Sequence, residues 1–243
     1  MLKLVVCDFD GTLMPYGTQA LSQSVKNKIN SLLEKNITVA VSSGRTYSEL
    51  IEYLPEFLDK IYFICCDGAY YIKNGKTLYE KHITNEILSH FFNNTNSSFV
   101  FHTAFGSYSF GSLPVAAEHF KAVPINRISK IDAKVFKVTG YGMNFNPHCS
   151  LPLRLHWDGG INSSTQYVSQ FANKGAALSD LQMRLMLSKF DTTCIGDSNN
   201  DVAMMHNAKY TFAVGNRCSE LSAVADNNVD SVESALDFCL NLP

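Results

Sequence analysis

Two aspartates stand one residue apart in the stretch Asp8-Phe9-Asp10-Gly11-Thr12, directly after a short apolar run at 2–7. Carboxylates this close repel one another unless a cation lies between them, and a hard, oxygen-liganded ion such as Mg²⁺ suits the pair. The bare pattern is equally that of an acidic Asp-Gly turn. An EF-hand fits it less well, because such a loop needs Gly at its sixth position and Glu at its twelfth, where this chain has Leu13 and Gln19.

Three more groups are placed in the same way. Ser43-Gly44-Arg45 follows the β-rich run 37–41. A hydroxyl and backbone N–H groups at a helix start make a seat for an anion, and they also make an ordinary N-cap. Lys174 opens a helix after Asn173. An ammonium there opposes the helix dipole, a local conflict of the kind that falls at functional sites, although most lysines are solvated surface groups. Gly196-Asp197-Ser198-Asn199-Asn200-Asp201 follows another apolar run and supplies two carboxylates four residues apart. Alone, it reads as a polar turn with Asp201 in the first turn of a helix. The arrangement decides between these readings. Each group follows a strand or opens a helix of one alternating pattern, so all four can meet at the carboxyl edge of one sheet.

That pattern has two halves. Strands are expected at 2–7, 37–41 and 61–65, with a helix capped by Ser22 that carries Val25, Ile29, Leu32 and Leu33 on one face, and another from Thr46 to about Phe57. The order β-α-β-α-β implies a parallel sheet with right-handed crossovers. Lys73-Asn74-Gly75-Lys76 then marks a hairpin. Alternation resumes with a helix at 174–187, strands at 192–195 and 210–214, a short helix at 200–206, and helices from Ser219 and Ser231. Between them, 82–170 is rich in Ser, Asn, Phe and Tyr and reads as α+β, with a helix at 84–92 and strands at 97–103, 135–141 and 151–157. The fold class is therefore α/β: a doubly wound parallel sheet built from 1–81 and 171–243, interrupted by a smaller inserted α+β domain at 82–170.

Composition bounds the function. The chain has 243 residues, of which 46% are hydrophobic and 17% charged, with 20 Lys plus Arg against 22 Asp plus Glu and a net charge of -2. Mean hydropathy is -0.04 and the isoelectric point about 6.4. So balanced a chain has no long-range attraction to nucleic acid or an anionic membrane, and an anionic substrate must be held by a few local groups. No run approaches the ~18–20 apolar residues of a membrane span, and Asp8 and Asp10 interrupt any signal-peptide-like region. The seven cysteines include no CxxC pair, as expected of reduced, buried thiols in a cytoplasmic protein.

With Asp8-Phe9-Asp10-Gly11-Thr12, Ser43-Gly44-Arg45, Asn173-Lys174-Gly175 and Gly196-Asp197-Ser198-Asn199-Asn200-Asp201 in this order and spacing, the chain resembles, over its whole length, the haloacid dehalogenase-like (HAD) phosphatases, in particular the Cof-type subfamily with a C2B cap. The resemblance implies a Rossmann-like core, one Mg²⁺ and a cap inserted after the third strand. It implies Asp8 as nucleophile and metal ligand, Asp10 as general acid/base and a metal ligand through its backbone carbonyl, and Asp197 as the third metal ligand. Ser43, Gly44 and Lys174 would hold the transferring phosphoryl group, Asn200 would reach the phosphate, and Asp201 would support Lys174 or the metal's water shell. Asp67-Gly68-Ala69 stands where the family shows Asn-Gly-Ala, and 82–170 is short for such a cap.

The physics of these roles is independent of the family. A carboxylate attacks a phosphate monoester only if the repulsion of two anions is screened, here by Mg²⁺, Lys174 and hydrogen bonds from Ser43 and Gly44. An aspartyl-phosphate then divides one slow hydrolysis into two faster steps. In the cap, Arg154, His156, Trp157 and Asp158 form the densest polar and aromatic cluster. Arg154 and Trp157 are candidate substrate contacts, for a second anion and a ring respectively, against the alternative of a strand end with a half-buried tryptophan. The expected activity is a phosphatase acting on a small phosphorylated metabolite, with a sugar phosphate as the natural fit. A phosphosugar mutase on the same fold, or a non-catalytic binding protein, are the alternatives.

Overall fold

The computed structural model describes residues 1–93, 97–142, 153–158 (backbone alone for 154–158) and 164–242. In chain order its first half runs β1 (Leu4–Asp8), α1 (Gln23–Glu34), β2 (Thr38–Ser42), α2 (Tyr47–Tyr53), β3 (Tyr62–Cys65), β4 (Tyr70–Lys73) and β5 (Lys76–Glu80). The insertion carries α3 (Asn85–Phe92), β6 (Ser98–His102), β7 (Ser107–Phe110), β8 (Val123–Pro124), β9 (Lys137–Tyr141), β10 (Leu153–Asp158) and β11 (Thr165–Ser169). The chain ends with α4 (Lys174–Arg184), β12 (Thr192–Gly196), α5 (Val202–Met205), β13 (Tyr210–Val214), α6 (Ser219–Val224), β14 (Asn227–Val229) and α7 (Val232–Asn241).

The first sheet has the order β14-β13-β12-β1-β2-β3-β4-β5, parallel except for the hairpin β4–β5 at one edge. Because β1 is covered on both faces, its side chains alternate between two apolar layers rather than between core and solvent. Val5 and Cys7 pack with Val25, Ile29 and Leu32 of α1 and Leu236 of α7, whereas Leu4 and Val6 pack with Leu178 and Leu181 of α4 and Met204 of α5. Each fully buried aliphatic side chain of this kind contributes about 1.5–3 kcal/mol. Strand order reverses between β1 and β12, so the crevice beyond their carboxyl ends is the topological switch point where open α/β sheets bind ligands.

The second sheet has the order β10-β11-β9-β6-β7-β8 and is antiparallel apart from β7–β8. One face holds Phe99, Phe101, Val138 and Tyr167 against Ile87, Leu88 and Phe91 of α3. Side chains alternate along a strand, so Lys137, Thr139 and Gln166 lie on the opposite face. The polypeptide thus forms a parallel core with an inserted α+β cap, and among the described residues no helix is long and apolar enough to cross a membrane. Six of the cysteines are free thiols, all but Cys218 buried, and Cys149 lies outside the described residues.

Some elements differ from expectation. The second helix stops at Tyr53, because Pro55 cannot extend it and disfavours helical geometry at Leu54; a separate 3₁₀ turn follows at Pro55–Phe57. The helix from Lys174 ends at Arg184, with Met186 in a left-handed conformation at φ 54°. Strands β7, β8, β11 and β14 carry too little apolar alternation to be read in advance. Ser22 caps its helix as expected, accepting from the Val25 N–H, and Asn74-Gly75 turns the hairpin with both φ angles positive.

His102 is a pH-sensitive joint of the cap. It is fully buried, with Nδ1 3.0 Å from Ser107 Oγ, Nε2 2.8 Å from Thr139 Oγ1 and the Phe120 ring edge-on at 4.7 Å. Burial, reinforced by Lys137 and His119, holds its pKa well below the usual 6.5. The folded protein therefore keeps a neutral imidazole that the unfolded chain protonates below about pH 6.5, and the stability held above that pH is lost as pH falls, by up to about 1.4 kcal/mol per unit. We predict that His102→Gln costs more stability at pH 7.5 than at pH 5.5. Thermal unfolding at both values checks this, and a pH-independent difference would contradict it.

Candidate active site

The site grows from the carboxyl edge of the core sheet. Asp8 ends β1, Ser43 follows β2, Asp67 follows β3, and Asp197 follows β12. Lys174 is the first residue of α4, a helix started by Asn173, whose side-chain oxygen accepts from the Ala176 N–H at 2.7 Å. Two glycines allow these chains to approach. Gly11 has φ +86°, and a Cβ there would lie 2.2 Å from Asp197 Oδ2. Gly68 has φ +82°, and a Cβ there would lie 2.2 Å from the carbonyl oxygen of Asn173. Any side chain at Gly68 would therefore push α4, and with it Lys174, away from Asp8.

Lys174 is 1% exposed, and its ammonium donates to Asp8 Oδ1 at 2.5 Å and Asp201 Oδ1 at 2.6 Å. Burial alone would lower its pKa, but Asp201 and Asp8 outweigh burial and hold the pKa above the ordinary lysine value. Asp201 is fully used: its Oδ2 accepts the N–H groups of Asp197 and Ser198, each at 3.1 Å. Asp8 is not. Its Oδ2 is buried and has no hydrogen-bond partner among the described residues. Asp197 takes the Thr12 hydroxyl at 3.3 Å, and carboxylate oxygens of Asp8, Asp197 and Asp201 lie within 4.8 Å of one another.

Burial raises the pKa of Asp8 well above its usual value, opposed by Lys174 and reinforced by Asp201 and Asp197. Burial and then Asp201 raise that of Asp197. An orphaned, buried Asp8 oxygen facing a second carboxylate is the donor set of a hard divalent cation. Asp8 and Asp197 are the residues that would hold it, since Asp201 has spent its oxygens on Lys174 and the backbone.

The remaining sequence candidates are placed as follows. The Ser43 hydroxyl accepts from the Arg45 N–H at 3.1 Å, and the Gly44 carbonyl accepts from Lys137 of the cap at 3.0 Å. Asn200 donates from Nδ2 to Asp67 at 2.8 Å and accepts the Ser198 hydroxyl at 2.5 Å. Asp67, fully buried at φ +53°, also contributes to the field at Lys174. Asp10 lies apart from the ammonium, gripped by Arg45 through two bonds of 2.8 and 2.7 Å. The side chains of Arg154 and Trp157 lie outside the described residues.

Arg45 and Tyr16 are among the residues that escaped the sequence reading. Arg45 stands in the Ser-Gly-Arg motif, but only its hydroxyl and backbone neighbours drew attention; its guanidinium also lies over the rings of Phe9 and Tyr53 at 5.4 and 5.0 Å. Tyr16 lies beside Asp197 at Gly11, and burial together with that carboxylate pushes its pKa to about 12.

The match to known proteins agrees with this geometry. Residues 5–139 and 125–235 fit the family model described as haloacid dehalogenase-like hydrolase. The chain belongs to this family and is a hydrolase by class. A 5-amino-6-(5-phospho-D-ribitylamino)uracil phosphatase, YbjI of Escherichia coli, is 20% identical over 98% of this chain and 96% of its own. An HMP-PP phosphatase of Escherichia fergusonii is 25% identical over 92% of this chain and 88% of its own. The solved HAD subclass IIB sugar phosphatase BT4131 superposes with a TM-score of 0.76 at 18% identity, over 98% of this chain and 99% of its own.

The raised pKa values fix how a divalent cation should bind. Burial raises the pKa values of Asp8 and Asp197 in the metal-free protein, so a cation there competes with protons and gains affinity as pH rises. Their ionisation also costs the metal-free fold stability with rising pH, a cost the cation removes. Millimolar Mg²⁺ should therefore raise the unfolding temperature more at pH 8 than at pH 5. Calorimetry at the two values decides it, and an equal or reversed shift would refute the cation site.

Proposed function

We propose that the chain is a Mg²⁺-dependent phosphatase that hydrolyses a small phosphomonoester, with a sugar phosphate as the best-fitting class, through an aspartyl-phosphate on Asp8. The observation that carries this reading is the state of Asp8: one oxygen is fixed by a buried ammonium, and the other is buried without a partner. One Asp8 oxygen is thus open to a cation and the other lies against the ammonium that would receive the phosphoryl oxygens, the setting of a nucleophile rather than of a structural salt bridge. The phosphatase names of the two curated relatives support the class of reaction.

In the first step an Asp8 oxygen attacks phosphorus, the bond from phosphorus to the ester oxygen breaks, and Asp10 in its acid form gives a proton to the departing alkoxide. Lys174 offsets the charge carried by the phosphoryl oxygens, and the Ser43 hydroxyl and backbone N–H groups after β2 add hydrogen bonds. A Mg²⁺ held by Asp8 and Asp197, with the Asp10 backbone carbonyl that the family resemblance adds, supplies the rest of that charge compensation when bound. In the second step Asp10 takes a proton from water as the water attacks phosphorus, releasing inorganic phosphate and restoring the Asp8 carboxylate.

In the arrangement observed Arg45 occupies both oxygens of Asp10, so this pair parts when Asp10 carries the proton. The two Arg45 bonds fix the Asp10 carboxyl at the border between core and cap, where the leaving group must depart. Asp201 acts through Lys174, and Asp67 acts through Asn200. Substrate choice belongs to the cap, whose Lys137 reaches the core at the Gly44 carbonyl.

Asp8→Asn keeps the shape of the side chain and removes the attacking charge. The variant should fold, since it leaves Lys174 paired with Asp201, and Mg²⁺-dependent phosphate release from an aryl phosphate should fall by at least about 10³-fold. Retention of wild-type turnover by a folded Asp8→Asn protein would defeat the mechanism.

A further inference from the structure

A cavity of about 430 Å³ opens between the core and the cap, and Asp10 is part of its wall. On the proposed chemistry, the group that Asp10 protonates leaves into this space. The core contributes Gly44, Arg45 and Glu49 beside Asp10, and the cap contributes His119, Phe120, Lys137 and Gln166. A second cavity of about 340 Å³ shares Arg45, Glu49 and Phe120 and continues the cleft outward.

Lys137 is unusual in this wall. It begins β9, is only 3% exposed, and its ammonium reaches across to the Gly44 carbonyl at 3.0 Å. One of its three N–H bonds is spent on that carbonyl, which fixes the ammonium at the cavity wall, and among the described residues it has no other hydrogen-bond partner. Gln166 stands on the neighbouring strand and, by alternation, on the same face of the cap sheet. Glu49 opposes them from α2, held by the Thr46 N–H at 2.8 Å and hydroxyl at 2.6 Å. The nearby Lys137 charge also favours its ionised form.

Two cations face two carboxylates across this wall. Arg45 and Lys137 are opposed by Asp10 and Glu49, beside the His119 imidazole, so the cavity has several directed donors and acceptors of both signs. A second phosphate or carboxylate on the substrate would meet the Glu49 and Asp10 carboxylates. Hydroxyl groups, which donate to carboxylates and accept from an ammonium or amide, satisfy all of these groups together, and the Phe120 ring offers an apolar face to a carbon skeleton.

We propose that Lys137 and Gln166 of the cap, facing Glu49 of the core, determine specificity by reading the hydroxyl groups of an uncharged, polyhydroxylated leaving group. The assignment rests on the phosphatase reading above and gives it a residue-level basis for substrate choice. It also places selection at β9 and β11, with Gln166 in register opposite the Trp157 position of β10.

The test compares wild type, Lys137→Met and Gln166→Leu, each shown folded by thermal melting, in Mg²⁺. Substrates are a panel of hexose, pentose and polyol monophosphates, the matching bisphosphates, and p-nitrophenyl phosphate, which has no hydroxyl groups on its leaving group. Wild type should prefer monophosphates to bisphosphates. Lys137→Met should lower kcat/KM on the best monophosphate by about 10- to 100-fold while changing the aryl phosphate by less than about 3-fold. Gln166→Leu, at a less buried position, should show the same selective loss in smaller measure and carries the comparison alone if Lys137→Met does not fold. Equal losses on both substrates, undiminished sugar turnover, or a wild-type preference for bisphosphates would overturn the assignment. A wild-type protein that releases phosphate from no ester would instead overturn the phosphatase reading.

Discussion

The ammonium of Lys174, shut away from water between Asp8 and Asp201, is the interaction on which the rest of the site depends. Four carboxylates, at Asp8, Asp67, Asp197 and Asp201, are buried on one sheet edge. Desolvating that much like charge costs several kcal/mol per ion, and removing one partner from a buried pair leaves the other uncompensated. The surrounding architecture gathers these carboxylates about one ammonium. Asp201 is saturated by two backbone N–H groups besides Lys174, Gly68 lets the start of α4 approach β3, and Gly11 lets Asp197 approach β1. Among the described residues the lysine leaves one oxygen of Asp8 buried without a hydrogen bond, and on the proposed mechanism Asp8 is the reactive point.

A division of labour follows from the topology. The parallel core is covered on both faces and holds the charged groups on short turns at strand ends, where a rigid scaffold keeps them within hydrogen-bond distances. The cap sheet uses one face for its own aromatic packing and turns the polar face toward the core. Asp10 lies where the two meet. Its pairing with Arg45 separates it from the Lys174 cluster, so two aspartates one residue apart occupy different electrostatic surroundings and can take different chemical parts.

Much of this was legible before any coordinates. Asp8, Lys174, Asp197 and Asp201 stood out because each ends a strand or opens a helix in an alternating pattern, and parallel α/β topology leaves such residues one common edge. The structure brings these four together. Arg45 was less legible, since a guanidinium reaches far from its backbone and nothing local indicates Asp10 as its partner. Lys137 was harder still. In Lys137-Val138-Thr139-Gly140-Tyr141 the alternation of polar and apolar residues shows that one face is polar, but not that this face is buried against another layer. Edge strands such as β8 and β14 depend on tertiary pairing rather than on their own pattern.

The central claim is that Asp8 carries the phosphoryl group, and trapping that group tests it most directly. Enzyme mixed with substrate and Mg²⁺ on the millisecond scale, quenched in acid and examined by peptide mass spectrometry, should show one phosphoryl group on the peptide that contains Asp8. The adduct should disappear on the timescale of phosphate release. A phosphoryl group found on another residue, or a trapped species whose decay is slower than turnover, would contradict the account.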